Sequence, residues 1–383
     1  MQKFNYPTTI YYGPGSLKEL ASSIAQMGLK KILLVSDPVL QKLGMVGHVS
    51  DVCKAAGLNI VPFCEVHPNP IEDDVVKGIQ IYKKENCQAF IALGGGSPMD
   101  AAKAIMILVD HPGPLAQYDD TKGGDRLITK SLPPLFAIPT TAGTGSEVGR
   151  SSVIILKATN DKTILFHPTM MPRIAALEPE LTKDLPKVVT VATGLDAFTH
   201  CLEAYFAPGF HPMADGIALQ GIELILDNLP VVYKNPGDLE ARGKMLMAAS
   251  MGATAFQKGL GMIHSMAHPL SSECGLHHGL ANALSLPACV DFLEKSDLNK
   301  NQRKQIEIVR ELFQQRGLVG KTLSEICREF FKSLGVQFGL SNHGVKKEDL
   351  PKLSHKAILD PCHANNMIKV TEKDFERTFA QAF

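Results

Sequence analysis

The sequence predicts a mixed fold: a doubly wound α/β domain at the N-terminal end, followed by an all-α domain. The chain has 383 residues, which is more than one ordinary hydrophobic core holds and fits two domains. Its first part alternates short β-branched runs with helical patterns, whereas helical spacing of apolar residues dominates from about Leu185 onward. We therefore expect one domain over residues 1–184 and a second over residues 185–383.

Short apolar runs in the first domain predict buried strands, at residues 31–35, 59–63, 89–93 and 135–138. Residues 39–56 predict a helix between the first two. Such alternation indicates a parallel sheet, and ligands of these sheets bind beyond the carboxyl ends of the strands. The second domain contains runs with helical spacing, at residues 188–205, 214–229, 239–257 and 279–293.

Composition argues against several classes of protein. Hydrophobic residues make up 45% and charged residues 20%, as in a globular rather than a disordered protein. Basic and acidic residues both number 39 without a long basic run, so we expect no nucleic-acid partner. The N-terminus has no apolar signal region and no run approaches a membrane span, so we expect no membrane partner. Eight cysteines without a CxxC pair favour reduced thiols in the cytoplasm.

A glycine-rich loop predicts a phosphate site in the first domain. Gly94, Gly95, Gly96 and Ser97 follow a predicted strand and open a helix. Glycines allow a phosphate to approach the backbone, and Ser97 is a good N-cap with Pro98 as the first helical residue. The free N–H groups of that helix would face a pyrophosphate. The glycines could also serve only a tight turn.

A second loop, residues 139–147, also follows a strand and carries small hydroxyl side chains, among them Thr140, Thr141 and Thr144. Such side chains suit close contact with ribose, phosphate or a nicotinamide carboxamide. Two such loops on one sheet indicate one long ligand, a dinucleotide. The first domain is therefore predicted to bind nucleotide, although its loop is not a GxGxxG fingerprint.

Asp37 directly follows the first predicted strand. A carboxylate at this place can accept hydrogen bonds from an adenosine ribose and would repel a 2′-phosphate, which favours NAD over NADP. The alternative is that Asp37 is an ordinary helix N-cap before Pro38.

Acidic and histidine side chains in the second domain predict a metal site. Asp196 and His200 are four residues apart, so they share one helix face. His264 and His268 follow downstream, and then the adjacent pair at residues 277–278. One carboxylate and three imidazoles would make an open site for Fe(II) or Zn(II). Each pair alone could be a simple structural contact, and Pro269 biases His268 away from helical geometry.

With these motifs in order, the chain resembles the iron-containing (group III) alcohol dehydrogenases, relatives of glycerol dehydrogenase and dehydroquinate synthase. The resemblance runs nearly end to end and implies a dehydroquinate synthase-like fold with a metal in the cleft between two domains. It implies an NAD-dependent enzyme that interconverts a primary alcohol and its aldehyde, and a homodimer. The matching motifs are at residues 12–15, 68–70, 94–97, 140–147, 192–196 and the histidine cluster.

The resemblance also implies residue roles. His268 would not be a ligand; it would contact the ligands from outside or handle protons near the nicotinamide. The implied metal ligands are Asp196, His200, His264 and His278. The implied cofactor contacts are Asp37, Gly95, Gly96, Ser97, Thr140, Thr141 and Thr144, and less directly Lys162 and Leu181.

The sequence departs from the family pattern at three places. Ser271 replaces a glycine after the His-Pro-Leu segment, and His277 replaces the proline before the last ligand, so residues 277 and 278 are both candidate ligands. Residues 366–368 read Asn-Met-Ile where the family has Asn-Pro-Arg. Phe256 and Cys362 fit pocket-lining positions and core positions equally well.

The implied mechanism has a metal, Fe(II) or Zn(II), that activates the alcohol oxygen, and a proton relay through His268. A zinc-dependent glycerol or polyol dehydrogenase is one alternative. A dehydroquinate synthase-like lyase would need Lys and Arg around the metal, and the segments near Asp196 and His264 are short of cations. A non-catalytic scaffold would predict damaged ligand positions, whereas all four are present.

Overall fold

The computed structural model describes residues 8–159 and 162–383. The chain divides into two compact units. The first unit contains residues up to Thr141 and Gly145–Lys183, and the second contains Ala142–Thr144 and Asp184–Phe383. The expected division of nucleotide and metal binding between residues 1–184 and 185–383 stays a prediction.

A parallel sheet forms the centre of the first unit. The strands of the described chain are β1 Thr9–Tyr12, β2 Lys31–Val35, β3 Asn59–Phe63, β4 Ala89–Gly94, β5 Leu135–Pro139, β6 Ser151–Ile155, β7 Lys162–Phe166 and β8 Ile174–Leu177. Six of them pair in the order β1-β8-β5-β4-β2-β3, all in parallel. The other two, β6 and β7, pair as an antiparallel hairpin.

The strand order reverses beside β2, which pairs with β3 on one side and with β4 on the other. Such a reversal opens a crevice at the carboxyl ends of the neighbouring strands. Asp37, Gly95 and Thr140 follow β2, β4 and β5, which are adjacent in the sheet. The fold therefore gathers the predicted nucleotide contacts at one edge of this sheet.

The helices of the first unit flank these strands. The helix expected over residues 39–56 is in fact two helices, because Gly44 has a φ of 79° and interrupts the first one. The helices are α1 Ser16–Gln26, α2 Pro38–Lys42, α3 Met45–Ala55, α4 Glu72–Lys84 and α5 Gly96–Asp110.

The second unit is helical throughout its described elements. Its central helix, α6, is buried along almost its full length, as expected for a helix that is apolar on every side. The helices are α6 Lys187–Phe206, α7 Pro212–Lys234, α8 Leu239–Ala255, α9 Met262–Cys274, α10 His278–Lys295, α11 Lys300–Gln314, α12 Leu323–Ser333, α13 Leu350–Leu359 and α14 Glu372–Ala382. Helices α7, α8, α10 and α11 pack against α6, helices α9, α12 and α14 pack on α10, and α13 packs on α9 and α14.

Helix α9 continues through Pro269, so the expectation that this proline would move His268 out of helical geometry was wrong. Proline removes one backbone donor, but the packed surroundings of α9 keep the turn helical. His264 and His268 therefore share one face, with ring centroids 6.0 Å apart. No helix within the described ranges is long and apolar enough to cross a membrane.

Candidate active site

Helix α6 presents three polar side chains from one face to the interior of the second unit. Asp196, His200 and Glu203 are spaced by four and three residues, which places them on consecutive turns of the same face. All three are nearly inaccessible to solvent. Buried polar groups need partners, so the helices that pack on this face have to supply them.

Three imidazole nitrogens surround the Asp196 carboxylate. Its Oδ1 lies 3.9 Å from Nε2 of His200, 3.9 Å from Nε2 of His264 and 3.5 Å from Nε2 of His278. The possible metal-ligand atoms of Asp196, His200 and His264 all lie within 4.8 Å of one another. The four side chains predicted as ligands are therefore brought together, from α6, α9 and α10.

Burial controls the charge of this cluster. Burial lowers the pKa of His200 to about 4 and holds the pKa of His278 well below its usual value. Burial alone would raise the pKa of Asp196, but the three histidines and Asn282 bring it below its ordinary value. Near neutral pH the site thus holds an ionised carboxylate beside uncharged imidazoles at His200 and His278, the forms that bind metal ions.

Glu203 orients His264 and was not anticipated from the sequence. Its Oε2 lies 2.6 Å from Nδ1 of His264, and its Oε1 accepts the backbone N–H of Ile263 at 2.7 Å. Burial would lower the pKa of His264, but the bond to Glu203 and its charge raise it overall. Because Nδ1 is engaged, Nε2 of His264 is left to face Asp196, the arrangement that orients metal-binding histidines.

Asn282 lies at the centre of the cluster and was also missed. Its Nδ2 donates to Oδ1 of Asp196 at 2.8 Å and lies 3.3 Å from Nε2 of both His264 and His278. Its own Oδ1 is buried without a hydrogen-bond partner among the described residues. This amide compensates the buried carboxylate directly.

Gly279 explains why α10 approaches α6 so closely. A Cβ at this position would lie 2.1 Å from the carbonyl oxygen of Ala192 and 3.1 Å from Cβ of Asp196. Only glycine permits this approach, which carries the preceding His278 to the Asp196 carboxylate. The segment Ala142–Thr144 packs on the same helix, where a Cβ on Gly143 would meet Thr193 at 2.8 Å.

The departures from the family pattern lie around α9 and α10. His277 precedes α10, is exposed, and makes no hydrogen bond or ion pair with the cluster among the described residues. Asn366 Oδ1 accepts the backbone N–H of Met262 at the start of α9, and the neighbouring Met367 is buried. The hydroxyl of Ser271 is buried without a partner within the described ranges, and nothing in the structure explains it.

His268 lies beside the cluster and is more accessible than the ligand candidates. Its side chain is 40% exposed, against 34% for His278 and 2% for His264, and its ring stacks on His278 with centroids 5.4 Å apart. The Phe256 ring packs against His200 with centroids 5.1 Å apart. Cys362 is half-buried, and burial holds the pKa of its thiol well above the usual value.

The glycine-rich loop in the first unit begins its helix earlier than expected. Gly94 has a φ of 147°, which favours glycine, and Gly95 rather than Ser97 is the N-cap of α5. The assignment of Ser97 as N-cap was therefore wrong; its hydroxyl donates to the carbonyl of Pro68 at 2.6 Å. The first helical residue is Gly96, and Pro98 follows two positions later.

The other predicted cofactor residues are placed as follows. A Cβ on Gly95 would lie 3.2 Å from Oγ1 of Thr141, so the two loops of the first unit touch. Thr144 belongs to the second unit. Lys162 is the first residue of β7 and is exposed, and Leu181 is buried in a short turn after β8.

Asp37 is the N-cap of α2, which was the alternative to a ribose contact. Its Oδ1 accepts the backbone N–H groups of Val39 and Leu40 at 2.8 and 2.9 Å. Its Oδ2 accepts none from the described part of the chain. A cap that uses one oxygen leaves the other available to a ribose hydroxyl.

Lys103, which was not singled out from the sequence, fixes the loop after β5. Its buried ammonium donates to the carbonyl and hydroxyl oxygens of Ser146, both at 2.8 Å, and to the carbonyl of Ser151 at 3.1 Å. Burial lowers the pKa of Lys103 to about 8 and raises that of the nearby Asp100 to about 6.

Comparison with known families accounts for both units. Residues 7–179 match the model of the iron-containing alcohol dehydrogenases, and residues 190–383 match the C-terminal model of the same family. The chain belongs to the iron-containing alcohol dehydrogenase family. The predicted family, fold class and enzyme class are thereby confirmed: the chain is an oxidoreductase that interconverts an alcohol and its carbonyl compound.

Individual relatives match over nearly the full length. A 4-hydroxybutyrate dehydrogenase of Cupriavidus necator is 36% identical, with 98% of each chain covered. An NAD-dependent methanol dehydrogenase of Bacillus methanolicus is 33% identical, with 100% of each chain covered. The crystal structure of a 1,3-propanediol oxidoreductase superposes with a TM-score of 0.91 at 31% identity and covers 100% of both chains.

The contact between Glu203 and His264 generates a test. In Glu203→Gln, the side chain can no longer hold His264 through an ionic hydrogen bond, so Zn(II) affinity should fall about 10- to 100-fold. Competition with a chelator of known affinity measures it. The matched control is Glu372→Gln, which alters an exposed carboxylate 3.0 Å from Nδ1 of His355. Equal Zn(II) affinity in Glu203→Gln and wild type would contradict the orienting role.

Proposed function

We propose that this enzyme uses NAD to interconvert a primary alcohol and its aldehyde, with one divalent cation held by Asp196, His200, His264 and His278. The observation that supports the proposal is the buried Asp196 carboxylate with three Nε2 atoms directed toward it. Burial of so many polar groups costs free energy unless each has a polar partner, and a bound cation would be a partner for all four side chains.

The donor set fits a divalent cation. One carboxylate oxygen and three imidazole nitrogens suit Fe(II) and Zn(II) alike. The family favours Fe(II), with Zn(II) as the alternative. The hydrogen bond between Glu203 and Nδ1 of His264 supports the same assignment, because it leaves Nε2 of His264 for the cation.

A cation held by these four residues would act as a Lewis acid and would lower the pKa of the alcohol hydroxyl. The cofactor has to accept the hydride, and a side chain of the protein has to accept the proton. Oxidation moves a hydride from the alcohol carbon to NAD and releases one proton, so a nearby base is needed. His268 is suited to accept it, because its ring lies against His278 and is also exposed to solvent.

The substrate class is a small primary alcohol. The three relatives named above act on 4-hydroxybutyrate, methanol and 1,3-propanediol, each of which carries a primary alcohol. The aromatic ring of Phe256 packs on His200, and the thiol of Cys362 is uncharged, so both suit an aliphatic chain.

We further propose that Gly95, Gly96, Ser97, Thr140, Thr141, Thr144, Lys162 and Leu181 contact NAD. The three loops that carry Asp37, Gly95 and Thr140 follow adjacent strands, which supports one extended ligand. A nucleotide domain over residues 1–184 and a metal domain over residues 185–383 belong to this proposal. We also propose a cytoplasmic location, because all eight cysteines are free. A homodimer is proposed from the family alone, and sedimentation velocity tests it.

Metal dependence tests the function. Metal-stripped protein, re-loaded anaerobically with Fe(II) or Zn(II), should form NADH from primary alcohols, and His264→Ala should reduce this to the level of metal-free protein. His355→Ala, an exposed histidine of the second unit, is the control and should keep full activity. Turnover without added metal, or none with any metal and alcohol despite NAD binding, would contradict the proposal.

Asp37→Asn separates the cap from the charge. Asparagine caps helices as well as aspartate, so unfolding free energy should change by less than about 1 kcal/mol. Loss of the charge should lower the preference for NAD over NADP by about tenfold, because repulsion of the 2′-phosphate disappears. Ratios of kcat/KM for the two cofactors measure it. An unchanged ratio would assign Asp37 to capping alone.

A further inference from the structure

Asp360 follows α13 and makes a close contact with His268. Its Oδ2 lies 2.6 Å from Nδ1 of His268, although the two residues are 92 positions apart in the sequence. The Asp360 side chain is 14% exposed. At this distance and burial the contact is a charge-assisted hydrogen bond rather than a surface ion pair.

Two other hydrogen bonds fix the Asp360 carboxylate, and a third fixes one of its donors. Its Oδ1 accepts the hydroxyl of Ser265 at 2.8 Å and the backbone N–H of Cys362 at 2.9 Å. The Ser265 hydroxyl in turn accepts the backbone N–H of His363 at 2.9 Å. Ser265 and His268 are three residues apart on α9, so one helix face engages both oxygens. Oδ2 is thereby reserved for His268.

An ionised carboxylate only accepts hydrogen bonds, so the imidazole nitrogen that faces it must carry a proton. Burial alone would raise the pKa of Asp360, but the contacts with His268, Cys362 and Ser265 bring it well below the usual range. Nδ1 of His268 therefore holds the proton. In the uncharged ring Nε2 is then the nitrogen with the lone pair, and Nε2 makes no hydrogen bond with the described residues.

We propose that Asp360 is a positioning residue that fixes His268 in the Nδ1–H tautomer and aims its free Nε2 as the proton acceptor of the reaction. The proposal rests on the proposed function of His268 in alcohol oxidation. The proton released with the hydride goes to Nε2, and Asp360 stabilises the imidazolium that forms. The proton then leaves to solvent through the exposed ring, and no further reactant is needed.

The pair of His268 and Asp360 resembles the pair of His264 and Glu203 but differs from it in exposure. His264 and His268 each have Nδ1 held by a carboxylate at 2.6 Å. Nε2 of His264 faces Asp196 and Asn282, and its ring is enclosed. His268 is partly exposed instead. The same pairing therefore serves metal binding at His264 and proton transfer at His268.

The alternative is a second metal site formed by His268, Asp360 and Cys362, whose donor atoms also lie within 4.8 Å of one another. Two features oppose it. The 2.6 Å separation of Nδ1 and Oδ2 leaves no space for a cation between them. Oδ1 of Asp360 is already engaged by Ser265 and by the backbone of Cys362.

Asp360→Asn isolates the proposed role. Oδ1 of the asparagine can still accept from Ser265 and Cys362, so the local fold is retained. Its Nδ2 then donates to His268, which forces the proton to Nε2 and removes the free lone pair. The matched control is Asp74→Asn, because Oδ1 of Asp74 lies 2.7 Å from Nδ1 of His67 and its Oδ2 accepts hydrogen bonds from two backbone N–H groups.

The tautomer is measured by nitrogen-15 NMR of histidine-labelled, Zn(II)-loaded protein, with His268→Ala to assign the signals. Wild type should show His268 with the proton on Nδ1, and Asp360→Asn should show it on Nε2. At saturating NAD and alcohol, Asp360→Asn should lower kcat by about 100-fold or more, the contribution of positioned proton transfer. Zn(II) content should be unchanged, and Asp74→Asn should keep its kcat.

A double mutant distinguishes positioning from a structural role. If Asp360 acts through His268, adding Asp360→Asn to His268→Ala should change kcat by less than about threefold. An additive loss of kcat in the double mutant, or an Nε2–H tautomer of His268 in wild type, would overturn the proposal. Loss of a second equivalent of Zn(II) in Asp360→Asn would overturn it too and would establish the second metal site. If no alcohol is oxidised at all, the proposed function fails, while the wild-type tautomer still decides the role of Asp360.

Discussion

The buried carboxylate of Asp196 is the constraint on which the second unit depends. A buried ion loses its hydration, at a cost of several kcal/mol unless other polar groups replace the water. Asn282 and the imidazoles of His200, His264 and His278 supply that replacement. They come from α6, α9 and α10, so these helices have to pack within a few ångströms of one another. The close contact of Gly279 with Ala192 is the clearest consequence.

The orientation of the histidines is set at their other nitrogens. Glu203 contacts Nδ1 of His264 and Asp360 contacts Nδ1 of His268, each at 2.6 Å. These two carboxylates come from opposite ends of the second unit's sequence. Because α9 stays helical through Pro269, both histidines share one face. One face thus combines an enclosed ligand candidate with a partly exposed imidazole suited to proton transfer.

Local signals in the sequence were sufficient for much of this fold. The run at residues 31–35 coincides with β2, because buried parallel strands are short, apolar and bounded by turns. The run at residues 59–63 coincides with β3, an edge strand that is only partly buried. The α6 pattern around Asp196 and His200 predicted a helix with both on one face, and the structure places them so. The family resemblance then supplied the set of four side chains that the structure gathers.

Other features depend on contacts between distant residues and could not be predicted from local patterns. Glu203 and His264 are 61 positions apart, and Asp360 and His268 are 92 apart. Ser97 has an N-cap composition, but the φ of Gly94 shifts the start of α5. Gly44 divides a helix that apolar spacing alone would continue. In each case a tertiary contact or one glycine dihedral outweighed the local preference.

We propose that one divalent cation binds at the Asp196 carboxylate and that His268 is not among its ligands. Anomalous diffraction from crystals of the Zn(II)-loaded protein, measured at the zinc edge, locates the cation. We expect one peak per chain, about 2.0–2.2 Å from a carboxylate oxygen of Asp196 and from Nε2 of His200, His264 and His278. A peak bound by His268, Asp360 and Cys362, a peak bound by His277, or no peak in active crystals would contradict it.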